Sequence, residues 1–199
     1  MYRKESYSRI IAISGNTGAG KSTLAKLLAK KLEASIVTWD DYDEFSAEPD
    51  DYVKWYHNGE NYSEFKRELL AKHLFALKKG NCIKHPILKQ IIKPTQFIIF
   101  DAPLGRLHSE TGQFIDFMLH LSVPLDVSLC RRLLRDFANQ NLAKDILEEL
   151  EFYLNESRPL YFDEKLKLTA DFVVNGLLSP ENELEVVMNY LREKIFNQN

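Results

Sequence analysis

Residues 15–22 read Gly15-Asn16-Thr17-Gly18-Ala19-Gly20-Lys21-Ser22, with Thr23 next, a complete G-x-x-x-x-G-K-[ST] pattern. The apolar run Arg9-Ile-Ile-Ala-Ile-Ser14 comes directly before it, and Leu24, Leu27, Leu28 and Leu32 fall on one helical face after it. A strand, a glycine-rich turn and a helix in that order form a cradle for an anion. Glycines let successive backbone N–H groups turn inward around a phosphate chain without Cβ clashes, and the following helix directs the positive end of its dipole at the same charge. Lys21 is then placed to reach the β- and γ-phosphates, and the Ser22 hydroxyl to ligate Mg²⁺. Residues 15–23 are therefore expected to hold a nucleoside triphosphate.

Past this point apolar runs alternate with amphipathic stretches. Residues 34–39, 97–100, 117–123 and 170–174 read as further buried strands. Residues 63–79 read as a helix with Ser63 as N-cap and Gly80 just beyond its end. Residues 127–137, 142–154 and a last segment from Pro180 towards Phe196 read as helices too. Strands alternating with helices require right-handed crossovers, so the expected fold class is α/β: a five-stranded parallel sheet with helices on both faces. Ligands of such a sheet gather outside the carboxyl ends of its strands. The 199 residues make one domain, and 45% apolar with 28% charged residues excludes intrinsic disorder. A net charge of −3 gives no basic face for nucleic acid, and no apolar run is long enough to span a bilayer. The first residues, Met1-Tyr-Arg-Lys-Glu-Ser6, do not read as a signal peptide. Cys82 and Cys130 lack disulfide-framework or metal spacing, so the expected setting is cytoplasmic.

Three further groups carry chemistry. Asp40 directly follows the strand at 34–39 and opens a stretch in which seven of the twelve residues 40–51 are acidic. Phosphoryl transfer to an alcohol benefits from a carboxylate that accepts the hydroxyl proton, so Asp40, with Asp41 as its rival, is the candidate base. Asp101 ends the apolar run 97–100, where a carboxylate can hold Mg²⁺ through its water shell across from Ser22. Arg131 and Arg135 lie one helical turn apart with Arg132 beside them. They either neutralise a transferring phosphoryl group or form a solvated basic face paired with Asp136. Arg106 is open to the phosphates or to the acceptor. Tyr52, Trp55, Tyr56 and Tyr62 either stack a flat ring or wall a helical subdomain. His57, His73, His85 and His120 show no metal spacing and read as structural, while His108 lies close to Arg106. No N-K-x-D element is present, which excludes a signalling GTPase, and the chain is too short for a ring ATPase.

The segments at 15–23, Trp39-Asp40-Asp41-Tyr42, Asp101-Ala-Pro-Leu-Gly-Arg106, Arg131-Arg132-Leu-Leu-Arg135-Asp136 and Ala170-Asp-Phe-Val-Val-Asn-Gly176 together resemble the uridine kinase and nicotinamide riboside kinase group of P-loop kinases. The resemblance covers nearly the whole chain. It implies the P-loop NTPase fold, with ATP and Mg²⁺ as cofactors and a small-molecule hydroxyl acceptor as partner. It places the base on Asp40, within a D-D-[FY] element that includes Asp41 and Tyr42, and the Mg²⁺ assistant on Asp101. It implies an acceptor-binding insertion over about residues 40–80, an arginine-bearing lid over about 130–145, and a loop near Asn175 and Gly176 bordering the adenine. Related kinases bind ribose hydroxyls with an Asp before an aromatic residue, a place taken here by Asn61-Tyr62. The Tyr-Asp segment and the His-x-Arg element that uridine kinases carry in a β-hairpin are missing from the corresponding stretch, residues 81–94. The expected activity is transfer of the ATP γ-phosphate to a nucleoside or nucleoside-like hydroxyl. The alternatives are a kinase of a pantothenate- or sugar-type alcohol and a non-catalytic ATP-binding switch.

Overall fold

The computed structural model describes residues 8–138 and 143–196. Strand β1 (Arg9–Ser14) runs into helix α1 (Lys21–Leu32) and strand β2 (Ser35–Thr38). A 3₁₀ turn (Asp40–Phe45), α2 (Tyr52–His57), α3 (Glu68–Lys78) and the short strands β3 (Ile83–Lys84) and β4 (Ile91–Ile92) follow. Then come β5 (Phe97–Asp101), α4 (Ser109–Gly112), β6 (Phe117–Ser122), α5 (Leu125–Phe137), α6 (Ala143–Phe152), α7 (Glu164–Thr169), β7 (Phe172–Asn175) and α8 (Pro180–Leu191). The main sheet has five strands in the order β2-β5-β1-β6-β7, every pair parallel, as the alternation of apolar runs predicts.

Side chains of successive strand residues leave opposite faces. Ile11 and Ile13 of β1 join Phe97, Ile99, Leu119 and Leu121 in a core closed by α1 (Leu24, Leu28) and α8 (Val187, Leu191). Ile10 and Ala12 join Ile98, Phe100 and Met118 in a second core closed by Leu70, Leu74 and Leu77 of α3. Burial on both faces is why these runs read as continuously apolar. The pairing also levels the strand ends. Asp101 is opposite Ile13 on one side and Thr38 on the other, so the turns after β1, β2 and β5 emerge together.

Two local expectations change. The helix expected from Ser63 begins at Glu68 instead. The Asn61 side-chain oxygen accepts from both the N–H and the hydroxyl of Ser63 (3.2 and 2.8 Å), folding a 3₁₀ turn, and Lys66 then pairs in β fashion with Ala47. Short polar side chains that bond nearby backbone compete with helix in this way. Residues 81–94, given no element by sequence pattern, form the antiparallel hairpin β3–β4, whose two-residue strands are too short to show periodicity. Of the expected lid, residues 139–142 lie outside the described residues, as do the start of the helix expected from Leu142 and the stretch Met1 to Ser6. Among the described residues, no helix is long and apolar enough to cross a membrane.

Arg106 acts at the amino ends of β6 and β7, away from the loops where ligands gather. Its guanidinium donates to both Asp171 carboxylate oxygens (3.0 and 2.7 Å) and to the carbonyls of Thr169 and Asp116 (2.9 and 3.3 Å). Asp171 also accepts from the Met118 N–H at 2.7 Å. Arg106 is thus spent on a clasp that fixes strand ends, not on phosphate or acceptor as the sequence left open. Burial pushes the Asp171 carboxyl upward, but the Arg106 fork and the Met118 N–H outweigh it and hold it below the usual range. A depressed carboxyl stabilises the fold above its ordinary pKa of about 3.9 and loses that contribution as pH falls through the lowered value. Asp171→Asn should therefore cost about 1–2 kcal/mol near neutrality, a modest figure for a partly exposed pair. Its gap to the wild type should close below about pH 4, as read by urea denaturation at neutral and acid pH.

Candidate active site

The glycine loop lies at the level carboxyl ends of β1, β2 and β5. Gly18 has a φ of 82°, open to glycine without cost, and a Cβ there would run into the Ser128 carbonyl oxygen of α5. At Gly15, φ is 147° and an added Cβ would stand 2.6 Å from the Leu121 carbonyl oxygen. The loop is therefore held against the sheet and α5 at van der Waals distance. Lys21 donates to the Asn16 carbonyl at 3.1 Å, and the Asn16 side-chain amide donates to the Tyr161 carbonyl at 2.8 Å. Ala19, a candidate phosphate contact in the sequence, packs its side chain into the apolar core and stands outside the cleft lining.

The loop floors a cleft of about 630 Å³. Asp40, Asp101, Arg131 and Arg135 line it beside the glycines, Lys21, Ser22 and Thr23. Its outer walls are Trp55, Glu60 and Tyr62 from the segment around α2, and Leu160, Tyr161, Phe162, Lys165 and Leu166 from the first turn of α7 and the turn before it. An ion pair between Glu60 and Lys165 joins these two walls. The Ser22 hydroxyl donates to Asp101 Oδ2 at 2.7 Å. Two oxygens side by side beside the phosphate loop suit Mg²⁺, which keeps most of its water shell and takes one or two protein oxygens together with phosphate. The described residues contain no cluster of three or more His, Cys, Asp and Glu side chains able to hold a metal by themselves.

Charge is concentrated here. Lys21 keeps part of its surface open to the cleft, yet protein surrounds it closely; burial lowers its pKa, against the opposing pull of Asp101 and Asp40. Burial raises the Asp101 carboxyl, countered by Lys21 and by the Ser22 hydroxyl. Arg135 is held further up by its bond to Asp136, with a smaller contribution from Asp40. Asp40 therefore acts on the lysine, the second carboxylate and an arginine at once.

The seven acids of residues 40–51 are sorted by their partners. Asp43 and Glu48 face the buried Arg67, at 3.0 and 2.8 Å from its guanidinium nitrogens. Asp41 turns to the hairpin, where His85 Nε2 lies 3.3 Å away. Asp51 caps α2 through the Lys54 N–H at 2.9 Å. Among the seven, Asp40 lines the cleft.

Several candidates from sequence stand outside the cleft lining. Tyr42 is buried and bonded to His73 Nδ1 at 2.8 Å. The Asn61 side chain is spent on the Ser63 turn, and the Asn175 side-chain oxygen accepts from the Leu177 N–H at 3.0 Å. Arg132 pairs with Glu149 at 2.6 Å and lies over the Tyr161 ring, leaving its neighbours to face the loop. Arg131 Nη1 donates to the Gly176 carbonyl at 2.9 Å, and Arg135 Nη2 lies 3.4 Å from Thr17 Oγ1. His108 is buried between Thr111 and the Phe65 carbonyl. Sequence pattern missed Glu60 and the 160–166 wall. Glu60 reaches its place from a left-handed backbone (φ 56°), and no periodicity announces the wall.

Similarity to known proteins agrees with this geometry. The chain is 28% identical over 182 residues to a uridine kinase of Clostridium tetani, covering 83% of this chain and 85% of that protein. It is 26% identical over 199 residues to a uridine kinase of Halobacterium salinarum, covering 93% and 85%. No family model matches the chain. Two solved structures share the fold. A shikimate kinase of Acinetobacter baumannii in complex with shikimate has a TM-score of 0.50 at 14% identity over 96% of this chain and 95% of that one. A proposed fructose transport system kinase of Silicibacter sp. TM1040 has a TM-score of 0.52 at 17% identity over 87% and 92%.

Replacing Gly18 with Ala tests the close approach to α5. Forcing a left-handed backbone on a residue with Cβ costs roughly 1–2 kcal/mol before the collision is counted. The variant should bind a fluorescent ATP analogue at least about tenfold more weakly, each tenfold being about 1.4 kcal/mol. Titration of that analogue and a thermal melt of the free chain read the two effects.

Proposed function

From a chain that resembles the uridine kinases in sequence and the P-loop kinases in fold, we propose that it transfers the γ-phosphate of ATP to a hydroxyl of a nucleoside or nucleoside-like acceptor. The observation that carries this reading is the placement of Asp40 in one cleft with Lys21, Ser22 and Asp101. A non-catalytic ATP-binding switch needs no carboxylate there, and the relatives named uridine kinase favour the enzyme.

The loop amides and Lys21 hold the phosphate chain, and the α1 N-terminus adds its dipole. Ser22 and Asp101 would hold Mg²⁺, which when bound would neutralise charge on the phosphates. Asp40 orients the acceptor hydroxyl and takes its proton as the oxygen bonds to the γ-phosphorus and the bond to the ADP oxygen breaks. Arg131 and Arg135 neutralise charge on the transferring group's oxygens. The aromatic rings of Trp55 and Tyr62, edge to face at 5.2 Å, offer the acceptor an apolar, stackable wall. This assigns acceptor binding to the segment around α2 and phosphate chemistry to the strand ends.

Asp40→Asn tests the reading. Against a panel of nucleosides, sugars and pantothenate, the wild type should phosphorylate a nucleoside-type compound, and the variant should lose about 10²–10⁴ in kcat. ATP-analogue affinity should stay within about threefold, a change worth under 1 kcal/mol. A variant with wild-type kcat removes Asp40 from the reaction, and a wild type inactive on every acceptor removes the kinase.

A further inference from the structure

A chain of buried polar groups runs beneath the cleft, and the proposed reaction does not use it. Ser14, the last residue of β1, and His120, its register partner on β6, project from the same face of the sheet. Ser14 Oγ and His120 Nδ1 are 2.9 Å apart; His120 Nε2 and Asp163 Oδ2 are also 2.9 Å apart. Lys167 Nζ closes the chain on Asp163 Oδ1 at 2.7 Å. Ser14 and His120 are fully buried, and Asp163 nearly so.

The chemistry gives the chain a direction. A carboxylate only accepts, so the hydrogen between Asp163 and the ring sits on Nε2, and in the neutral ring Nδ1 then accepts the Ser14 O–H. Burial would push the Asp163 carboxyl up, but the bonds from His120 and Lys167 outweigh it and keep it low, hence ionised.

Asp163 stands at the N-cap of α7, where an Asp ordinarily accepts from the first helical N–H groups, yet its side chain caps nothing. It turns back into the sheet, while its neighbours Tyr161, Phe162, Lys165 and Leu166 line the cleft. At the other end, Ser14 is bonded covalently to Gly15, the first residue of the phosphate loop. A histidine inside the otherwise apolar strand Phe-Met-Leu-His-Leu therefore joins the floor of the cleft to its outer wall.

We propose that His120 is a positioning residue that couples the phosphate loop to the 158–167 wall through Ser14 and Asp163, so that a bound nucleotide orders the wall that faces the acceptor-binding segment across the cleft. The consequence for catalysis rests on the kinase reading; the coupling itself does not. The wall carries Lys165, paired with Glu60 across the cleft mouth, so order imposed from beneath reaches both walls. The direct link from Asn16 to the Tyr161 carbonyl holds the near end of the segment, and the buried chain holds its centre.

Amide hydrogen exchange on the full chain, with and without a non-hydrolysable ATP analogue and Mg²⁺, tests the coupling. In the wild type the analogue should slow exchange across residues 158–167. Ser14→Ala, which deletes one hydroxyl and leaves the core filled, should bind the analogue but lose that protection. His120→Gln, which keeps a donor for Asp163 and drops the link to Ser14, should do the same; should it fail to fold, Ser14→Ala decides. With an active acceptor, both variants should raise the acceptor KM about fivefold or more while kcat stays within about twofold, the range of an ordinary coupling between sites. A purely structural role would lower thermal stability and leave the analogue-induced protection intact. A wild type that binds the analogue without protecting 158–167, or a Ser14→Ala chain protected as well as the wild type, overturns the inference. Product formation is read separately, so a chain that shows the coupling but phosphorylates nothing sinks the kinase reading alone.

Discussion

Parallel pairing that sets Ile13, Asp101 and Thr38 side by side is the constraint from which the site follows. Backbone bonds at the same edge continue it: Trp39 N–H donates to the Asp101 carbonyl at 3.1 Å and Ala102 N–H to the Ile13 carbonyl at 2.9 Å. Three chains thus leave the sheet at one height. A one-residue slip of β5 would put Asp101 on the other face and part it from Ser22. The glycine loop, the Asp101 carboxylate and Asp40 are neighbours because of that register, before any side chain has formed a bond.

The second condition is the fate of the acids after β2. A stretch this negative next to a phosphate site would repel its own ligand if every carboxylate faced it. Arg67, buried beneath the Trp39 ring at 4.6 Å, draws Asp43 and Glu48 away, and His85 draws Asp41. The Nη1–Asp43 approach is an ion pair more than an aligned hydrogen bond, while Nη2–Glu48 is both. Taking a charged partner away from a buried cation leaves it uncompensated, which is costly. The turn is consequently shaped from inside, and Asp40 is left to face Lys21.

The sheet was readable in the residues because burial on both faces writes itself as apolar runs, and each of the five long runs became a strand. The glycine motif was readable because its conformational demands permit few alternatives; Gly18 with its positive φ shows why. Other features were hidden for physical reasons. Arg106 was open to phosphate or acceptor from its place after β5, but its partner Asp171 is 65 residues away and invisible to local pattern. Tyr42 and Asn61 sit in suggestive motifs, yet burial against His73 and a turn at Ser63 claim their polar atoms. The wall at 160–166 and the carboxylate of Glu60 come from turns and a helix too short to show a period, and their position is fixed by tertiary contacts. Roles for the arginines, and the choice of acceptor, depend on partners that no periodicity encodes.

The Arg67 cluster gives the acid-rich turn an unusual tolerance. Ion pairs with both members in solvent are weak and are weakened further by salt, whereas pairs with a desolvated member are screened far less. Lys72–Glu68 and Lys144–Glu148, with both members in solvent, are of the first kind. Arg67, with only 1% of its side chain exposed, belongs to the second. Brine that weakens the chain's surface charges should leave this bend in shape, and the carboxylate it presents should keep its aim across a wide range of electrolyte.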